Sequence, residues 1–222
     1  YYGYIADGYY KDQEDIDKSP VYGNRATVKP GFVKYRDISG PEGVPDGVID
    51  SKDRVVLGNP FPRYEFGLNL TSEYKGFDLT VFVQGVGKKD TYVSGMGVRP
   101  FFTGGSIYES QTDTWTPENP NAEYPLLLMN EAATPNYLAS SKWVKNGAYA
   151  RLKNVVLGYT LPATLTTRAK ISKIRVYAGA QNLFTISKFY KGYDPEIGMD
   201  GTYGGEFYPI MRTVTFAVES KF

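Results

Sequence analysis

The 222-residue sequence predicts an all-β chain that supplies part of a large antiparallel transmembrane β-barrel with long loops, and three observations carry that prediction. Five stretches of roughly ten residues alternate apolar and polar side chains with a period of two, the pattern of a strand with one apolar and one wet face. The connections between them alternate short and long, as an up-and-down barrel with tight turns at one rim and large loops at the other requires. Composition agrees, because 20 Tyr, 12 Phe and 24 Gly stand against only 41% hydrophobic residues and a mean hydropathy of -0.37. Such a wall shows lipid only every second residue, gathers aromatic rings at the membrane interfaces and leaves its loops polar.

Several other classes are disfavoured by what the chain lacks. With 25 basic and 24 acidic residues the net charge is +1, so no global field favours nucleic acid or an anionic surface, and no nucleic-acid partner is expected. The absence of Cys and His removes disulfides, thiolate chemistry, zinc-thiolate sites and the commonest general base. No run approaches the ~20 apolar residues of a membrane helix, so a crossing of the bilayer must use strands. No signal peptide begins at Tyr1, and Tyr1 is therefore not expected to be the start of the gene product.

In chain order, residues 1–62 read as a loop region. Gln13 to Asp17 allow a turn or two of helix, too short to stand alone, and Tyr9 and Tyr10 read as rings packed inside the loop rather than a sugar platform. Within it, residues 37–53 resemble a calcium loop. Its candidate ligands are Asp37, Ser39, Asp46, Asp50, Asp53 and the Val48 carbonyl, with Gly47 at the sharp turn and Ile49 as the apolar anchor. The pattern comes into register only when Pro41 to Pro45 are removed. Two outcomes stay open, a structural calcium ion or a metal-free turn closed by Asx hydrogen bonds. In neither case is there an open coordination position for catalysis.

Residues 63–86 read as a hairpin. Tyr64, Phe66, Leu68, Leu70 and Tyr74 share one parity, Glu65, Asn69, Thr71 and Glu73 the other, and Lys75-Gly76 makes the two-residue turn. Residues 87–141, rich in Gly and Pro, form a long loop of a size expected on the extracellular side of a barrel. A second hairpin covers 142–186, with an irregular register at Lys153-Asn154 and a short connection around Pro162. A second extracellular loop, 187–210, carries Tyr190, Tyr193, Tyr203, Phe207 and Tyr208. The closing strand is 211–222, with Val214, Phe216, Val218 and Phe222 on the lipid parity and Thr213, Thr215, Glu219 and Lys221 on the other. Five strands cannot close a membrane barrel, for which about eight is the minimum, so the outer edge of 211–222 is expected to lack its partner within this sequence.

The strings FVKYRD, DGVIDSKDRVVLGNPFPRYEFGLNLTSEYKGFDLTVFVQG, YARLKNVVLGYTLP, KIRVYAGAQNLFT, GYDPE and RTVTFAVESKF, in this order, resemble the C-terminal region of the SusC/RagA family of TonB-linked (TonB-dependent) outer-membrane transporters. The resemblance covers nearly the whole chain. It departs from the family in the acidic loop, where the usual D-x-N-G-D-G-x-I-D-x-x-D is interrupted by Pro41 to Pro45 and Ser39 stands for Asn. It implies a barrel of about 22 strands in the outer membrane of a Gram-negative bacterium. An N-terminal plug and a TonB-contacting segment, both outside these residues, would complete the protein. A SusD-like surface lipoprotein would help capture glycans or oligopeptides for TonB-energised import. Under that resemblance Trp115, Tyr193, Tyr203 and Phe207 become candidate vestibule contacts, because aromatic faces stack on sugars. Phe216, Val218 and Phe222 become the barrel-insertion signal.

Two other readings compete with the barrel. A soluble, calcium-stabilised carbohydrate-binding β-sandwich explains the aromatics and the acidic loop but not the short-long alternation or the terminal aromatic. A glycosidase would need two carboxylates at a set separation, and a pair such as Asp194 and Glu196 arises by chance among 24 acids. Without His, Cys or a nucleophile motif, no enzymatic activity is expected.

Overall fold

The computed structural model describes residues 1–129, 134–167, 170–199, 204 and 207–222. Five long strands, β1 (Tyr64–Tyr74), β2 (Phe77–Gly87), β3 (Tyr149–Thr160), β4 (Lys173–Ser187) and β5 (Thr213–Lys221), form one antiparallel sheet in sequence order. Four of them have 11 or more residues, enough to cross a hydrocarbon layer at a tilt of ~45° with a rise of about 3.3 Å per residue. Lys75 and Gly76 both have positive φ, 48° and 85°, so the β1–β2 turn twists with the strands it joins. The β3–β4 connection at the same end is also short and holds one helical turn, Ala163–Thr166. The long connections, β2 to β3 and β4 to β5, leave and re-enter at the opposite end.

Register follows the alternation of the sequence. Leu70, Val81, Val155, Ala180 and Val214 line up across the sheet on one face, and the next row, Thr71, Thr80, Val156, Gly179 and Thr215, lies on the other. In β3 the apolar parity changes between Leu152 and Val155, and the ladder shifts there against both neighbours: Lys153 is the extra residue against β2, whereas against β4 the extra residue lies on β4, between Gln181 and Phe184. The bulge keeps Leu152 opposite Val83 and Arg151 opposite Gln84, so each face retains its character along the whole strand.

The apolar face is bare. Phe66, Leu68, Leu70, Val214, Phe216 and Val218 are all exposed, with no second sheet over them among the described residues. This corrects the sandwich alternative, in which these side chains would interdigitate with a facing sheet to make the core. On the polar face Arg175 reaches across β3 to Asp78 of β2, with Nε–Oδ1 and Nη2–Oδ2 distances of 2.9 and 2.5 Å. It passes over Gly158, where a Cβ would stand 2.5 Å from the Asp78 carboxylate. Glu219 of β5 lies 3.7 Å from the same guanidinium, so part of the polar face is cross-strand charge pairing. Among the described residues the outer edges of β1 and β5 have no strand partner.

Residues Tyr1–Phe61, Asp90–Asn146 and Tyr190–Phe207 form a second compact unit. Three two-stranded ladders run through it, Tyr2–Gly3 with Val55–Val56, the strands Ala6–Tyr9 and Val33–Tyr35, and Asp90–Tyr92 with Val144–Asn146. The expected short helix spans Gln13–Lys18, begins at the Asp12 cap and buries Ile16 among Tyr10, Val21, Val28 and Phe32. Long-range bonds stitch the segments together. Tyr4 and Ser141 donate backbone N–H groups to Ala139 and Tyr4, both at 2.9 Å, the Tyr35 hydroxyl donates to the Pro135 carbonyl at 2.6 Å, and Ser94 N–H donates to the Met199 carbonyl at 2.9 Å. Stretches that read as separate loops in the sequence therefore share cores within one body.

Candidate functional site

The acidic loop shows how the 37–53 segment is held. Gly47 has φ of 85° and Ile49 is buried beside Tyr4, Val33 and Tyr35, the turn and anchor the sequence suggests. Asp53 is 0% exposed. Its Oδ1 accepts N–H bonds from Ile38 and Ser39 at 2.8 and 3.1 Å, and its Oδ2 accepts from Asp50 at 2.8 Å. Asp50 accepts from Lys52 N–H, Asp46 from Val48 N–H and Asp37 Oδ2 from Gly47 N–H, at 2.7, 3.1 and 2.6 Å. Calcium needs roughly six to eight oxygens converging at about 2.3–2.6 Å. Among the described residues no three acidic side chains converge, and the carboxylates are turned to backbone donors, although Asp37 Oδ1 is buried without a partner. In this arrangement the donor set does not fit a calcium cage, and no role is derived through the ion.

The aromatic candidates fall into different environments. Trp115 is only 5% exposed, because its ring lies against Gly31, where a Cβ would be 2.3 Å from it; it packs the unit instead of presenting a stacking face. Tyr193 is half-buried and stacks on Tyr190 at 5.5 Å, and the Tyr190 hydroxyl meets that of Tyr124. Phe207 is 58% exposed and free to stack, while Tyr203 lies outside the described residues. Phe216 and Val218 stand on the apolar face of β5, and they and Phe222 are exposed by 81%, 69% and 88%.

A cluster that the sequence reading passes over surrounds Trp143. This ring is 1% exposed, stacks on Tyr137 at 5.3 Å and donates its indole N–H to the Asn136 carbonyl at 3.0 Å. Lys142 Nζ sits 4.8 Å from the Tyr9 ring and 5.3 Å from Trp143. Glu123 is committed to Lys145 at 2.8 Å. Burial lowers the Lys142 pKa to about 8, and Glu123 opposes that shift only in part. The folded chain then releases this proton before the unfolded chain does, so stability rises with pH between about 8 and the ordinary lysine value. Above about pH 10 the sign reverses, because buried Tyr10, pushed up to about 12, stays protonated in the fold after the unfolded tyrosine ionises. Amide exchange around Trp143 in the complete receptor, corrected for intrinsic rates, is expected to gain about 1–2 kcal/mol of protection from pH 7.5 to 9.5. The gain should vanish in Lys142→Met, and an equal gain in that variant would refute the assignment.

No protein-family model matches the chain. It is 33% identical over 97% of its length to the TonB-dependent receptor P26 of Formosa agariphila, of which it covers 22%. It is 27% identical over 96% of its length to the TonB-dependent receptor SusC of Bacteroides thetaiotaomicron, covering 19% of that protein. A RagAB peptide importer in an open-open state superposes over 100% of this chain and 22% of its own, with a TM-score of 0.68 at 22% identity. The chain belongs to the SusC/RagA family of TonB-dependent receptors. It spans about a fifth of the length of the curated relatives it matches. For a SusC/RagA chain the five-stranded meander is a segment of barrel wall, which accounts for the bare apolar face and the two open edges. Lys142 and Trp143 left only a weak trace in the sequence, a basic residue beside a Trp in SSKWVKN, where neither periodicity nor motif marks them.

Proposed function

We propose that this chain forms part of the barrel wall and outer vestibule of an importer in the outer membrane of a Gram-negative bacterium, energised through TonB and taking up glycans or oligopeptides. The observation that carries this reading is the long-stranded antiparallel sheet with one bare apolar face and unpartnered edges, in a chain of this family. An apolar face of that extent has no place in water, and open edges require further strands. The partners are the remaining barrel and plug of the same protein, the lipid bilayer, TonB through a segment outside this chain, and a SusD-like surface lipoprotein. The likeness to a peptide importer supports oligopeptides, and exposed Phe207 supports a stacked sugar. No catalytic role is assigned.

Cells in which the gene for the complete receptor is deleted are expected to lose growth on one class of oligomer at limiting concentration. Growth on the corresponding monomers should be unaffected. Uptake of the same oligomer by wild-type cells should stop when the proton gradient is collapsed. Undiminished growth of the deletion strain on every peptide and glycan supplied would sink the proposal.

A further inference from the structure

Arg99 differs from the other arginines that are buried or half-buried among the described residues. Arg54 donates to the Tyr2 carbonyl, Arg151 to the Thr185 hydroxyl and Arg175 to Asp78. The half-buried Arg99 side chain has no carboxylate and no hydrogen-bond acceptor among the described residues, and its Nε is buried without a partner. What holds it is aromatic. The guanidinium carbon lies 5.4 Å from the Phe102 ring and 5.6 Å from the Tyr137 ring, and Tyr137 is itself fixed by stacking on Trp143. The backbone beneath it is pinned by the bond from Arg99 N–H to the Gly95 carbonyl at 3.0 Å, and Pro100 follows.

Burying a guanidinium without an acceptor is unfavourable, and ring faces compensate only part of the lost hydration. A planar fork held in place with its donors unused is preorganised for a planar anion that accepts two parallel bonds. One guanidinium balances one negative charge, which favours a carboxylate over a phosphate dianion. We propose that Arg99 receives a carboxylate carried by the imported oligomer, either the C-terminus of a peptide or a uronic acid of a glycan. This rests on the import reading above and adds to it a specific contact in the same compact unit as Phe207.

The test uses the complete receptor with its lipoprotein, purified in detergent, and calorimetric titration with two matched pairs of probes. One pair is an Ala-Gly hexapeptide and its C-terminal amide, and the other is trigalacturonate and its methyl ester. For whichever pair binds, the free acid is expected to bind about tenfold or more tightly than its neutral counterpart. Arg99→Gln should abolish the preference while leaving affinity for the neutral probe unchanged, and the pair that responds identifies the source of the carboxylate. A preference that survives in Arg99→Gln, its absence from the wild type, or an equal loss for both members of the pair would overturn the proposal. Should Arg99→Gln fail to fold, Arg99→Lys carries the test, since an ammonium keeps the charge without the fork. Its preference should then fall at least about threefold, and an unchanged one overturns the proposal. Failure of both pairs to bind the wild type, or binding without discrimination, would overturn this inference alone, whereas the import reading falls only by the growth and uptake test above.

Discussion

Replacing Asp53 by alanine is expected to destabilise the second unit by about 3–6 kcal/mol, to the same extent with or without calcium. The wild-type carboxylate is fully buried and accepts from the backbone N–H groups of Ile38, Ser39 and Asp50. Alanine leaves three buried donors without a partner, each with a desolvation penalty of about 1–3 kcal/mol. Asparagine should be intermediate, because its oxygen can keep one side of the arrangement while its NH2 faces a donor. Amide exchange at residues 38, 39 and 50 in the complete receptor reads the effect directly. EDTA should leave the wild-type pattern unchanged. Strong protection by added calcium, or an Asp53→Ala variant as protected as wild type, would show that the loop is held by something other than its own backbone donors.

Gly31→Val is expected to cost about 3–5 kcal/mol in the same unit. Gly31 combines a φ of 85° with a close approach, since a Cβ there would stand 2.3 Å from the Trp115 ring and 2.8 Å from Leu126 Cβ. Its N–H also donates to the Tyr10 carbonyl at 2.7 Å, and its carbonyl accepts from Leu126 N–H at 2.9 Å, which ties the first segment to the second. Left-handed backbone in a β-branched residue accounts for about 1–2 kcal/mol, and overpacking against a buried indole for most of the rest. Gly43→Val is the control. It has φ of 76° but nothing within 4 Å of a new Cβ, so only the backbone strain applies. Equal losses of protection in the two variants would refute the close-packing argument.

The sheet was legible in the sequence because its rule is local. Alternation of Tyr64, Phe66, Leu68 and Leu70 with polar neighbours places each residue on a face without reference to any other strand. The same rule exposed the bulge, since the apolar parity breaks between Leu152 and Val155, where Lys153 is the extra residue against β2. The short helix was legible from its composition, although Asp12 as its cap came from the structure. The aromatic candidates were less so. Trp115, Tyr193 and Phe207 look alike in their two glycine-rich loops, and only packing separates the buried indole from the exposed phenyl.

Residue type, parity and motif order were sufficient for an all-β barrel wall, its turn rim and its family. The folding of 1–61, 90–146 and 190–207 into one body needed the three-dimensional chain, as did the closure of the acidic loop on Asp53 and the placement of Arg99 against two rings. The physical reason is the kind of group that makes each contact. A strand face is written in side chains every second residue, whereas the second unit is joined largely through backbone N–H and carbonyl groups such as those of Tyr4, Ala139, Ser94 and Met199. Nearly every residue carries those groups, so no pattern in the sequence announces which of them will meet.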